Sequence, residues 1–235
     1  MDAYALQSHQ RAATAFNSDR FHREVVPMIA PPTYRQAVEH DDGIRMEQTL
    51  TALQKLRPVF DKREGDVTVG NSCQVTDGAT ALLVTSLEKA QQLGLEPLAI
   101  IRSTATAALS PTTMGLGPVH ATPLALQRAG LAFEDLDLVE LNEAFAAQVI
   151  GCMKAFADDN YCQNVVGLDS AMGELDPDRV NVNGGAIAIG HPIAATGARL
   201  LLTLAHELRQ RSARYGLATL CIGGGQGQAV ILEAA

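Results

Sequence analysis

The sequence predicts an α/β protein: a layered domain from about residue 98 onward, behind a loop-rich cap. Three observations carry this. Short apolar runs alternate with longer runs of helical period after residue 98. Leu217–Ile222 and Gln228–Leu232 bracket a glycine turn, the pattern of a closing hairpin. Residues 25–43 carry Pro27, Pro31 and Pro32 and read as loop.

The elements follow in order. Ala5, Leu6, His9, Ala12, Ala13 and Phe16 fall at helical spacing, so the first helix needs a partner surface. Leu50, Leu53 and Leu56 mark a second helix, stopped at Pro58, and residues 61–66 form a turn. Ala81–Val84 reads as a buried strand or a helix core. Ser86–Leu93 reads as helix with Gly94 closing it. Leu98–Ala108 is strand-like, Thr122–Ala129 is helix ended by Gly130, Leu136–Leu141 is strand, and Glu143–Phe156 is helix. Residues 180–183 read as strand and 197–211 as a long helix with one apolar face. The predicted division is a cap over 1–75, a strand–helix over 76–97 and the layered domain over 98–235.

Composition excludes several function classes. With 235 residues and 47% hydrophobic content the chain can bury a sizeable core. The net charge is −8 and no Lys/Arg cluster is present, which argues against nucleic acid. No apolar run reaches the roughly 20 residues of a membrane span. Cys73, Cys152, Cys162 and Cys221 are scattered, with neither disulfide-framework nor zinc-ligand spacing, so a reducing, cytoplasmic setting and no metal are expected.

Two stretches carry chemistry. Cys221 ends an apolar strand and precedes Gly223-Gly224-Gly225. A lone cysteine at a hairpin is more often a core residue. Three glycines, however, cost roughly 0.5–1 kcal/mol each in conformational entropy relative to alanine. They are expected where a ligand approaches open backbone N–H groups. The spacing Gly223-x-Gly225-x-Gly227 lacks the following helix of a dinucleotide loop and the Lys-Ser/Thr of a phosphate loop, so both are rejected. His191 lies between Gly190 and Pro192, downstream of Asn183-Gly184-Gly185. A helix start just after it disfavours the imidazolium, as a general base requires. Asn142-Glu143-Ala144-Phe145 follows an apolar strand, and read alone Asn142 is a helix N-cap.

Together, Leu141–Gln148, Asn181–Pro192 and Cys221–Gly225 resemble the C-terminal signatures of thiolases, the acetyl-CoA C-acyltransferases. Met114-Gly115-Leu116-Gly117-Pro118 resembles the family's pocket-lining turn. The resemblance runs from residue 1 to 235. It implies a thiolase-like α-β-α layered half with a cap. It also implies CoA-dependent cleavage of a 3-oxoacyl-CoA, or the reverse Claisen condensation, with coenzyme A as substrate and no other cofactor.

Residue by residue, Cys221 matches the family's acid/base cysteine, His191 the histidine that activates the nucleophile, and Asn142 the holder of a water in one oxyanion hole. The Gly223 N–H matches a donor of the other. Arg45, Leu56, Cys73, Met114, Ala144 and Phe145 fall where thiolases contact acyl-CoA. The chain departs from the family at Cys73, where a serine is usual, at Ala194, where a glycine is usual, and at His120, where proline is common. The largest departure is an absence: the resemblance implies that the family's N-terminal half with its nucleophilic cysteine is missing, Cys73, Cys152 and Cys162 lacking that cysteine's motif, and Met1 falls where the family's helix continues upstream.

The resemblance therefore implies a component that is inactive alone. A companion chain would carry the other half, and a dimer or tetramer of paired halves is expected. A truncated or fragmentary half that at most binds CoA is the competing expectation. Retention of His191, Cys221 and Asn142 favours the first.

Overall fold

The computed structural model describes all 235 residues. Four strands form the central sheet: β3 (Ala99–Ala108), β4 (Leu138–Leu141), β5 (Tyr215–Ile222) and β6 (Gln226–Ala234). Their order is β3-β6-β5-β4, with β5–β6 and β3–β6 antiparallel and β4–β5 parallel. Before this sheet come α1 (Asp2–Asn17), the two-residue strands β1 (Met28–Ile29) and β2 (Ala37–Val38), α2 (Leu50–Leu53) and α3 (Leu87–Gln92). The remaining helices are α4 (Gly117–Ala129), α5 (Ala146–Phe156), α6 (Asp159–Tyr161), α7 (Ala186–Ile189) and α8 (Thr196–Arg211).

Strands β4, β5 and β6 are largely apolar on both faces because both faces are covered, whereas the edge strand β3 leaves Ile100 and Ile101 exposed. Val139, Leu141, Leu217, Ala229 and Ile231 point to one side and pack against α4 and α5. Leu138, Ala218 and Leu232 point to the other and meet Leu200, Leu204 and Leu208 of α8. Those three leucines recur every four residues on one helix face and are essentially inaccessible. Burial of each is worth about 1.5–3 kcal/mol. The result is the expected α-β-α layering.

The first helix finds the surface it needs. Ala5 of α1 packs with Leu53 of α2, Ala146 of α5 and Ile187 of α7. The N-terminal residues are therefore tied to the helices flanking the sheet through α1. No helix is long and apolar enough to cross a membrane.

Several elements differ from expectation. Thr49 caps α2, which ends at Leu53, so Leu56 lies beyond the helix. The helix expected from Thr122 begins at Gly117, with proline in its first turn, where a missing N–H does no harm. Ala81–Val84 is neither strand nor helix nor buried: Leu83 and Val84 are 77% and 68% exposed. A strand needs a ladder partner, and residues 77–85 make no main-chain hydrogen bond. Residues 180–183 are not a strand either. Val180 bridges Val139, and Asn181 then turns to φ 47°. Its side-chain amide replaces the ladder, with Nδ2 donating to the Leu141 carbonyl and Oδ1 accepting from the Leu141 N–H, both at 2.8 Å.

Candidate active site

The site forms where β4 and β5 end side by side. The Asn142 N–H donates to the Thr219 carbonyl at 3.0 Å, so the β4–β5 ladder runs one residue past the strand. Asn142 is thus an extension of β4 and not a helix cap; α5 starts at Ala146 behind Phe145. Its side chain is buried, and its Oδ1 has no hydrogen-bond partner. A buried carbonyl oxygen without a partner marks a place where a polar ligand atom fits.

His191 reaches the same place from the loop between α7 and α8. Its Nε2 lies 3.4 Å from Asn142 Nδ2, and its Nδ1 lies 2.7 Å from Thr196 Oγ1. One tautomer satisfies all three contacts: Asn142 Nδ2 can only donate to Nε2, which leaves the proton on Nδ1. Thr196 Oγ1 donates its only proton to the Pro192 carbonyl at 3.1 Å, so it can only accept from the imidazole. Nδ1 therefore carries the proton, and Nε2 presents its lone pair toward Asn142. Burial, and then the positive charge of Arg199, lowers the pKa of His191. The ring is neutral at physiological pH with its basic nitrogen facing the site, the condition for a general base.

Cys221 is the penultimate residue of β5, paired in register with Gly227. It is buried, and burial raises its thiol above the ordinary range, with nearby Cys73 adding to the effect. The thiol stays protonated and can act as an acid. The turn after it places Gly224 and Gly225 at φ 95° and 93°, which side-chain-bearing residues rarely adopt. The Gly225 N–H bonds back to Ile222, while the N–H groups of Gly223 and Gly224 make no main-chain bond.

The other expected residues divide into two sets. Cys73, Ala144 and Phe145 adjoin the site. The Cys73 N–H donates to the Ala144 carbonyl at 3.0 Å, Ser72 bridges Phe145, and Phe60 packs edge-on against the Phe145 ring. Met114 lies in the short turn that leads into α4, and the neighbouring Gly115 carbonyl accepts a hydrogen bond from Cys152 at 3.2 Å. Arg45 and Leu56 are exposed on the cap, where the Arg45 N–H donates to His9 Nδ1 at 3.2 Å.

No cysteine here is set up as a thiolate. Burial pushes Cys152 up to about 12 and raises Cys73. Cys162 is buried and donates to the Ala155 carbonyl at 3.3 Å. A nucleophilic cysteine needs a positive or hydrogen-bonding surround that lowers its pKa.

The sequence reading missed the residue that fastens the site. Glu143 is buried and accepts four hydrogen bonds, from Tyr4, Ser8, Asn181 and the Ile187 N–H. It pins α1 and α7 to the end of β4. Thr196, which fixes the imidazole, was missed as well. Its spacing five residues after His191 was the only available signal.

With this geometry in place, the family is decided by comparison. The thiolase C-terminal domain model matches residues 95–234, and the thiolase N-terminal domain model matches residues 1–88. The chain belongs to the thiolase family. It is 48% identical over 233 residues to the 3-ketoacyl-CoA thiolases of Yersinia pestis and Yersinia pseudotuberculosis, covering 99% of this chain and 53% of theirs. The human mitochondrial 3-ketoacyl-CoA thiolase, solved in complex with CoA, superposes with a TM-score of 0.86 at 40% identity, over 100% of this chain and 54% of that one. The Bacillus anthracis acetyl-CoA acetyltransferase superposes with a TM-score of 0.87 at 38% identity, over 100% and 55%. This thiolase chain spans about half the length of the relatives it matches.

Proposed function

We propose that this chain is the acid/base half of a thiolase, working with a companion chain that supplies the nucleophilic cysteine. The assembly would cleave a 3-oxoacyl-CoA with CoA, or run the reverse condensation of acetyl-CoA. One observation carries the reading: the lone pair of His191 Nε2 faces Asn142 at the end of the strand pair that also carries Cys221.

In the proposed cycle His191 takes the proton of the companion's cysteine, whose thiolate attacks the 3-oxo carbon, and the bond between C2 and C3 breaks. The electron pair moves onto the acetyl-CoA enolate. Cys221 delivers its thiol proton to that carbon, releasing acetyl-CoA. CoA then gives its thiol proton to the Cys221 thiolate and attacks the acyl-cysteine thioester, freeing the shortened acyl-CoA and restoring both cysteines. Asn142, through the water it holds, and the Gly223 N–H stabilise the two developing oxyanions. Cys73, Met114, Ala144 and Phe145 border the acyl-thioester end, and Arg45 and Leu56 are offered for the nucleotide end of CoA.

The need for a companion is supported by two facts. Every cysteine of this chain is poorly placed to become a thiolate. In addition, residues 77–85 have no main-chain partners and expose Leu82, Leu83 and Val84, as a segment does when its partner surface belongs to another polypeptide. A cytoplasmic dimer or tetramer of paired halves is the proposed state.

The test is native mass spectrometry of the protein purified gently, followed by acetoacetyl-CoA thiolysis on the same sample. A second chain with CoA-dependent cleavage is the expected result. A single chain without turnover would refute the proposal in favour of a non-catalytic half. A single chain with turnover would refute the need for a companion.

A further inference from the structure

The loop that carries His191 is held along one side by residues 73–78. Gln74 and Thr76 are half-buried, while Val75 and Asp77 between and after them are exposed, the alternation of an extended chain. The segment is fastened beside Asn142, because the Cys73 N–H donates to the Ala144 carbonyl at 3.0 Å. It then follows the His191 loop in step. Gln74 Nε2 donates to the Ile187 and Ala188 carbonyls at 3.1 and 3.2 Å, and to the Gly43 carbonyl at 3.0 Å. Helix α7 has only four residues, so its last carbonyls need a partner from outside the helix. Thr76 Oγ1 donates to the Gln74 carbonyl at 2.9 Å and accepts from the His191 N–H at 3.3 Å. Gly78 lies against Pro192, so closely that a Cβ there would stand 2.7 Å from the ring Cγ.

We propose that Gln74 and Thr76 are positioning residues for His191: the amide of one caps α7, the hydroxyl of the other receives the His191 N–H, and together they set how far the imidazole stands from Asn142. The inference rests on reading His191 as the base.

The backbone that leads to the imidazole has little stiffness of its own. Gly190, just before His191, sits at φ 92°, and a glycine there is free to turn unless something packs on it. Thr76 packs there, and a Cβ on Gly190 would run into its side chain. The ring is therefore gripped twice. Thr196 holds it through Nδ1 at 2.7 Å, and Thr76 holds it through the backbone. Thr196 fixes only the Nδ1 end of the ring. The 3.4 Å between Nε2 and Asn142 also depends on where the backbone stands. The Cys73 anchor and the Gln74 and Thr76 contacts tie that backbone to the stretch that follows Asn142. A catalytic group must be held to within about 0.5 Å of its working geometry, and a misplacement of about 1 Å costs about a hundredfold in rate.

The test is the NMR spectrum of the His191 ring nitrogens in the full chain, their signals identified by loss in His191→Asn, together with kcat and KM of the assembly. Wild type is expected to show a protonated Nδ1 and a bare Nε2. Thr76→Val keeps the shape and loses the hydroxyl; Gln74→Leu loses the amide. Each should move the nitrogen signals toward a mixture of tautomers and lower kcat about ten- to hundredfold with KM little changed. Thr76→Ser should restore both. A wild-type ring spectrum in Thr76→Val overturns the proposal. So does a Thr76→Ser variant as impaired as Thr76→Val, because the hydroxyl would then play no part. Should Gln74→Leu fail to fold, Thr76→Val carries the expectation by itself. The spectra need no turnover. An inactive wild-type assembly would sink the thiolase reading, while the ring signals would still decide the roles of Gln74 and Thr76.

Discussion

Glu143, one residue past Asn142, accepts a 2.7 Å hydrogen bond from the Ser8 hydroxyl of α1, 135 residues away in the chain. Its other oxygen accepts from Tyr4 and Asn181, and Ile187 donates through its N–H. One carboxylate therefore joins α1, the end of β4 and α7, the helix just before His191. Glu143→Gln replaces an accepting oxygen with an amide that only donates, against partners that all donate. The expected loss is about 2–4 kcal/mol, read as a lower midpoint in urea unfolding. An unchanged midpoint would contradict the network.

Gly227 pairs with Cys221 and lies against the first residue of α4. A Cβ there would run into the Gly117 carbonyl, and both groups are backbone. Gly227→Ala must push α4 off β6, with a cost of about 1–3 kcal/mol. A drop in Tm measured by calorimetry is expected, and Gly223→Ala serves as the contrast, since its Cβ would meet nothing within 4 Å. Equal Tm values for the two variants would contradict the packing.

Thr196 is the only listener for the His191 Nδ1 proton. Thr196→Val removes the acceptor and frees the ring to flip its tautomer. In the assembled thiolase kcat should fall about ten- to hundredfold, with KM little changed and Thr196→Ser restoring most of the rate. A wild-type kcat in Thr196→Val would show that the tautomer does not matter.

Glu140 predicts a pH dependence of stability. Its folded pKa of about 7 exceeds the ordinary 4.5, so between those values the folded state binds more protons than the unfolded one. Stability from this group is fully present below about 4.5 and is lost as pH rises toward 7. Denaturant titrations across that window should show wild type losing stability relative to Glu140→Gln. Parallel curves would place the Glu140 pKa elsewhere.

How much of this was legible depends on range. The β5–β6 hairpin, α8 and the Gly130 helix end are local patterns, and they appear where the sequence puts them. Glu143 looked like part of a helix start because its partners lie up to 139 residues away. Asn181 sits in the Val-Asn-Val-Asn alternation that reads as strand, yet its amide imitates a strand by clamping Leu141. Ala81–Val84 was expected to be buried, as strand or helix core, because a continuous apolar run predicts burial without saying which surface provides it. Arg199 and Glu140 are ordinary charged residues in sequence; only the meeting of α8 with β4 makes them a pair.

The central claim is that this chain handles protons and another chain takes the acyl group. Intact-mass analysis of each polypeptide after a brief exposure of the purified assembly to acetyl-CoA tests it directly. The account predicts one acetyl group on a cysteine of the companion and none on this chain. Acetylation of Cys73, or of any cysteine in this chain, would contradict it.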